Sequence, residues 1–228
     1  LRAELVLDDF DDLAETISPA MENVFVSTAN VGAFNADRRL RIAAAAANPE
    51  ATFDTDATSA SVMTADLSAL NTTSVGGPAL AFQFKYAFAP TDISQGGLND
   101  AIILDFRSLH GNEIAPELGL VVRDDFDLTE TYFGQITNLP LTSGPFSASI
   151  LFSSFTQRGG APGLPDFTTI KQMDFDFFFF NISDSIRWRA ELERIRIGKV
   201  PEPASIALCA ALVPHVVRRT RRHFGNNF

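Results

Sequence analysis

An antiparallel β-sandwich is the fold this sequence predicts for residues 1–198, and three observations predict it. Leu80, Phe82, Phe84, Tyr86 and Phe88 alternate with Ala79, Ala81, Gln83, Lys85 and Ala87, which puts one face of a strand on a core. Comparable short runs recur along the chain, separated by turn-forming residues, as sandwiches require. No fixed-period repeat and no long helical pattern interrupts them.

Leu5 to Leu7 reads as a first strand, running into Asp8-Asp9-Phe10-Asp11-Asp12. Val24 and Val26 suggest a strand between Ile17 and Ala29. Arg38 to Ala47 has an alanine run that favours helix, yet Arg39 and Arg41 alternate with Leu40 and Ile42, and its neighbours decide for a strand. Ala51 to Asp56 and Ser61 to Leu67 have Thr-rich strand composition. After the long strand around Phe84, Ser94-Gln95-Gly96-Gly97 is a turn, and Ile102, Leu104 and Phe106 form the next inward face. Strands follow at Leu118 to Arg123, Thr129 to Ile136 and Phe146 to Phe155, then a Gly/Pro loop over Gly159 to Pro165. Ile170 to Ile182, with Phe175 and Phe177 to Phe180, reads as a central strand. In the last strand, Arg187 to Gly198, Trp188, Ala190 and Leu192 have one parity while Ile195 and Ile197 have the other. Both sets face a core only if one residue is absorbed near Glu193-Arg194, so a β-bulge is expected there.

The chain has 228 residues and a net charge of −10. Residues 1–198 hold 13 Lys/Arg against 27 Asp/Glu, a body charge of −14, and the remaining 30 residues carry +4. An acidic body repels nucleic-acid phosphates, so no nucleic acid is expected as a partner. The one cysteine, Cys209, lies in the tail, which excludes disulfides, thiolate catalysis and cysteine metal sites from the body. The chain opens Leu1-Arg2-Ala3-Glu4, with no basic start or apolar core, so a leader is expected to have been removed from this form.

The tail has three parts in order. Val200-Pro201-Glu202-Pro203 is extended and rigid, because each proline restricts itself and its predecessor. Ala204 to Val217 is 14 residues without formal charge. As a helix that is roughly 21 Å, short of a hydrocarbon core of ~30 Å. Arg218, Arg219, Arg221 and Arg222 follow and would stay on the cytoplasmic side. This layout resembles the PEP-CTERM sorting tail of exported bacterial proteins. The resemblance implies cleavage by an exosortase-type membrane protease, transient membrane contact through the tail and a destination in the envelope or extracellular matrix. The expected domains are therefore a sandwich over 1–198 and a sorting tail with a short hydrophobic helix over 199–228.

The body carries a second resemblance. Asp8-Asp9-Phe10, Arg38-Arg39 and the closing Leu192-Glu193-Arg194-Ile195-Arg196-Ile197 are together similar to galactose-binding-like jelly rolls. That implies a jelly-roll-like sandwich, carbohydrate binding in many members, and a structural calcium between the first and last strands. On a strand, Asp9 and Asp11 share a face and could converge with Glu193 on an oxygen-seeking cation, although a solvated acidic turn accounts for the same residues.

Other candidates read as ordinary structure. Asp54 and Asp56, Asp124, Asp125 and Asp127, and Asp174 and Asp176 could supply a glycosidase pair, but carboxylates alternating with apolar residues are usual outward strand positions. His110 stands beside Gly111 in an apparent loop with no nucleophile motif. The body offers Trp188, Tyr86 and Tyr132 as polar aromatic platforms against 19 phenylalanines, and phenylalanine mostly fills cores. The sequence thus points to a non-enzymatic, exported structural or adhesive matrix protein. The alternative is a carbohydrate-binding module for extracellular polysaccharide.

Overall fold

The computed structural model describes residues 4–11, 15–17, 26–44, 49–56, 62–69, 78–111, 117–124, 132–137, 139–157, 164–180 and 187–200. The chain divides into two units, residues 1–198 and residues 199–228. In the first unit the described chain is almost entirely antiparallel strand, arranged as two sheets with the apolar side chains between them. No helix among the described residues is long and apolar enough to cross a membrane. The expected C-terminal helix, with Pro201, Glu202, Pro203 and the four arginines, lies outside the described residues.

The strands are β1 (Leu5–Asp8), β2 (Glu15–Ile17), β3 (Val26–Val31), β4 (Ala36–Ala44), β5 (Pro49–Asp56), β6 (Val62–Ala69) and β7 (Pro78–Thr91). They continue with β8 (Ala101–Gly111), β9 (Glu117–Asp124), β10 (Tyr132–Ile136), β11 (Phe146–Leu151), β12 (Thr156–Gln157), β13 (Ile170–Phe180) and β14 (Arg187–Gly198). The first sheet runs β11-β8-β14-β6-β5-β2, with β1 also on β14; the second runs β12-β10-β9-β13-β7-β4-β3. The length of β14 explains its double neighbour. Its N-terminal half pairs with β6 and its C-terminal half with β1 along the same edge.

Alternation carries the core. Phe84 and Tyr86 on β7, Met173, Phe175 and Phe177 on β13, and Leu118, Leu120 and Val122 on β9 all face inward and are buried. Ile102, Leu104 and Phe106 oppose them from β8, with Leu192, Ile195 and Ile197 from β14. Phe177 joins the two sheets, meeting Phe84 edge-on at 5.5 Å and Phe106 at 6.1 Å.

The expected bulge is present, and β8 carries a matching one. Arg189 pairs with His110 and Arg194 with Asp105 in one register, yet between them Leu192 is drawn opposite Phe106. Glu193 on β14 and Arg107 on β8 are the two residues left over. The guanidinium of Arg107 donates through Nε to Glu193 Oε1 at 3.0 Å. Both strands change parity at one point, so register survives and each keeps its apolar residues inside.

Two expectations need correction. Phe146 to Phe155 is not one strand. β11 ends at Leu151, a 3-10 turn covers Phe152–Ser154, and the chain passes to the second sheet as β12. Phe152 and Phe155 are three apart and both buried, and a turn of three residues brings them to the same side. They close on Phe167, at 3.9 Å stacked and 5.6 Å edge-on. His110 is not in a loop; it is an exposed strand residue opposite Arg189.

Replacing Phe177 by Ala should destabilise the protein by about 3–5 kcal/mol, as large-to-small changes at such positions do. Denaturant unfolding measures it, and a loss under about 1 kcal/mol would show that the inter-sheet packing is wrong.

Candidate functional site

Three polar groupings stand out from the apolar core, and one of them is inside it. Asp8, Arg38 and Tyr86 are each buried. Arg38 and Tyr86 are direct partners on β4 and β7 of the second sheet, while Asp8 ends β1 of the first. Asp8 Oδ2 accepts from Arg38 Nη1 at 2.8 Å and from the Tyr86 hydroxyl at 2.7 Å. Its Oδ1 accepts the Phe10 backbone N–H at 2.9 Å. That last bond closes a turn in which Phe10 takes a positive φ of 54° and lies under the Arg38 guanidinium, 5.7 Å from the ring centre. Gly32 brings the parts together. Its φ is +61°, and a Cβ there would lie 1.9 Å from the Leu7 carbonyl oxygen, so the β3–β4 turn rests directly on β1.

Burial pushes the Asp8 carboxyl up, and Arg38, the Phe10 N–H and Tyr86 pull against it. The sequence carried a signal for this pair. Arg38 has the parity of Leu40, and an arginine on the apolar face needs a buried carboxylate.

The residues proposed for calcium are only partly assembled. β1 stops at Asp8, so Asp9 and Asp11 do not share a strand face, but the turn at Phe10 still puts their carboxyls together. Burial, followed by the hydrogen bond and like charge of Asp11, pushes the Asp9 carboxyl up. Glu193 is held by Arg107. Among the described residues no group of three or more His, Cys, Asp and Glu side chains is arranged to hold a metal ion.

The outer face of the first sheet is an ion lattice. Asp105 takes Arg196 Nε at 2.6 Å, Arg194 Nη2 at 2.9 Å and the Ser147 hydroxyl at 2.6 Å. Arg196 also bonds Glu4, and Glu4 lies 3.7 Å from Arg194. Partial burial pushes Asp105 up, but the bonds from Arg196, then Ser147 and Arg194, outweigh it and hold the carboxyl below its ordinary value.

The outer face of the second sheet is polar and partly covered. Asp174 on β13 stands opposite Lys85 on β7 and Val121 on β9. Its Oδ2 is 3.6 Å from Lys85 Nζ and 4.0 Å from Arg123 Nη1. Both carboxylate oxygens accept from Gln172 Nε2, at 2.9 and 2.8 Å. These charged side chains are only 20–29% exposed although they face away from the core. Burial pushes Asp174 up; Lys85, Gln172 and Arg123 oppose it. On β10 and β9, Gln135 Nε2 donates to Glu117 at 2.6 Å, and half-buried Phe133 stands opposite Val121. From β10 to β4 the face is five strands wide, roughly 19 Å at ~4.8 Å per strand.

Of the glycosidase candidates, Asp174 faces Lys85 and Val121 across its strand and Asp176 faces Gln83 and Gly119, so neither meets a carboxylate there. Asp124 is buried and accepts the Asp166 N–H at 3.0 Å. Asp125 and Asp127 lie outside the described residues, as do the side chains of Asp54, Asp56 and Trp188. Tyr86 and Tyr132 are both core residues and cannot serve as platforms. The large exposed apolar side chains among the described residues are leucines: Leu98, Leu141, Leu151 and Leu164.

Two outcomes test the charges. Arg38→Met should cost about 3–5 kcal/mol, because it strands the Asp8 carboxylate in the core, and adding Asp8→Leu should restore most of the loss; denaturant unfolding of both variants decides, and no recovery in the double variant counts against a compensated pair. For Asp105, a folded value below the unfolded 3.8 means stability that is complete above pH 3.8 and lost as pH falls through the folded value. Asp8, Asp9 and Asp174 are shifted up and work in the opposite sense, so the comparison must be by single substitution. Asp105→Asn should lose less Tm than the parent on acidification below pH 3.8; an equal loss would contradict the lattice.

No family model and no curated protein matches the sequence. Ten solved chains are similar in structure. Among them is the family 11 carbohydrate-binding module from Clostridium thermocellum in complex with a β-1,3-1,4-mixed-linked tetrasaccharide, at 15% identity over 87% of this chain and 97% of that one, TM-score 0.44. The family 11 module of the cellulosomal cellulase Lic26A-Cel5E of Clostridium thermocellum gives 14% identity over 88% and 98%, TM-score 0.43. The solution structure of CtCBM11 gives 16% over 87% and 96%, TM-score 0.44. At these values the chain is similar to such modules without being assigned to their family, and its fold stands on its own strand pairing.

Proposed function

We propose that the protein is a non-catalytic, exported module that binds extracellular polysaccharide on the outer face of its second sheet. One observation carries the reading. Lys85, Arg123, Asp174 and Gln172 are ionic or amide groups at outward positions, partly withdrawn from water and fixed by one another on a rigid sheet. Such groups contribute nothing to the apolar core, and desolvating them carries a cost. They do offer donors and acceptors at set spacings, which is what rows of sugar hydroxyls require. With both tyrosines inside, recognition is through hydrogen bonds, with Phe133 the one aromatic in that row.

A structural or adhesive role in the matrix is the second reading. The outer face of the first sheet favours it, since Asp105, Arg194, Arg196 and Glu4 satisfy one another and form a stable surface without a ligand. Sorting by an exosortase-type protease, with transient membrane contact and release to the envelope, belongs to the same proposal. It rests on the order of Pro201-Glu202-Pro203, apolar run and arginines alone. Calcium enters only through the adjacent Asp9 and Asp11; a Tm unchanged by chelation removes it.

Affinity electrophoresis of the full chain through gels containing a panel of soluble polysaccharides tests the main reading. At least one polymer should retard the protein. Asp174→Ala should weaken that retardation roughly tenfold or more, the scale of losing a hydrogen bond to a charged group. Retardation by none of them, or an unaffected Asp174→Ala variant, would overturn the assignment to this face.

A further inference from the structure

We infer that Arg39 and Lys85 form a subsite for the carboxylate of an acidic sugar, so that the polysaccharide bound is a polyuronate rather than a neutral glucan. This deepens the reading above and rests on it.

Arg39 and Lys85 are direct partners in the antiparallel pairing of β4 with β7. Their neighbours in each strand, Arg38, Leu40, Phe84 and Tyr86, are buried, so both cations face outward from the second sheet. Like charges directly opposite on a sheet destabilise it. Among the described residues no ion pair to Arg39 relieves the conflict, and Arg39 is exposed. Asp37, on the same strand and also exposed, stands opposite Ala87 and makes none either. Asp174 is the nearest carboxylate across the sheet. It lies beyond Lys85, takes both its oxygens to Gln172 and is shared between Lys85 and Arg123.

The row from β3 to β13 therefore reads Ser27, Arg39, Lys85, Asp174. A guanidinium fork takes a carboxylate by two parallel hydrogen bonds, and an ammonium beside it adds a point charge. Asp174 and Gln172, next along, accept from and donate to hydroxyls. A uronic acid presents those two chemistries side by side. The chain as a whole is acidic, at −10, so its long-range field repels a polyanion. Binding of one would come from a local site and not from bulk charge.

Isothermal titration calorimetry of the full chain with three probes tests this: polygalacturonate, the same polymer fully methyl-esterified, and a neutral mixed-linked β-glucan. The subsite predicts that polygalacturonate binds and that esterification weakens it at least tenfold. Arg39→Ala and Lys85→Met should each weaken polygalacturonate by a similar factor, with circular dichroism unchanged because both side chains leave the core untouched. Equal affinity for free and esterified polymer, or parent-like binding by Arg39→Ala, would overturn the subsite. Binding of the neutral glucan alone would also overturn it while leaving polysaccharide binding intact. Failure of all three probes, together with failure of the wider polysaccharide panel, would take the binding reading down with it.

Discussion

A single buried ion pair sets the geometry on which the rest depends. Asp8 comes from the first sheet, and Arg38 and Tyr86 come from the second. Alternating apolar faces set the register within each sheet and hold the two sheets together, but they leave the position of one sheet over the other loosely set. A charged pair in the core does fix it, because any slip that separates the partners leaves a charge unmatched in a poorly solvating interior. Pairs of this kind are weak contributors to net stability, and their best-attested use is in specifying one arrangement. Here the consequence reaches the surface. Side chains alternate along a strand, so an inward Arg38 obliges Arg39 to face out beside Lys85.

The two outer faces resolve their charges differently. On the first sheet each named charge has an opposite neighbour: Asp105 has two arginines, Glu4 reaches both, and Glu193 has Arg107. Its bulged strands could keep their parity change because the two surplus residues neutralise each other. On the second sheet Asp174 serves Lys85 and Arg123 together, and exposed Arg39 stands outside that group. A surface complete in itself suits support. A surface with a cation left over on a polar, partly covered floor suits a ligand.

Much of the architecture could be read from residue order, because period-two alternation is a local property. The strand at Phe84, the central strand at Phe175 and the bulge at Glu193 all follow from parity within one segment. The passage of the chain between sheets at Phe152 was hidden, since it depends on two phenylalanines meeting Phe167 from another segment. The candidate site was hidden for the same reason. Arg39, Lys85, Asp174 and Arg123 sit on β4, β7, β13 and β9, and what makes them neighbours is the order of strands in the sheet. The acidic run after Asp8 points by its composition to Asp9 and Asp11, which are more accessible than Asp8. The carboxylate that organises the fold was the one beside them, and its partner was legible only as an arginine on the wrong parity.

The most direct measurement is a nitrogen–proton NMR titration of the full chain with oligogalacturonate. Shift changes confined to backbone amides of β4, β7, β13 and β9, centred on Arg39, Lys85 and Asp174, are the result this account predicts. Shift changes centred instead on Asp105, Arg194 and Arg196 of the opposite sheet, or on the loops alone, would contradict it.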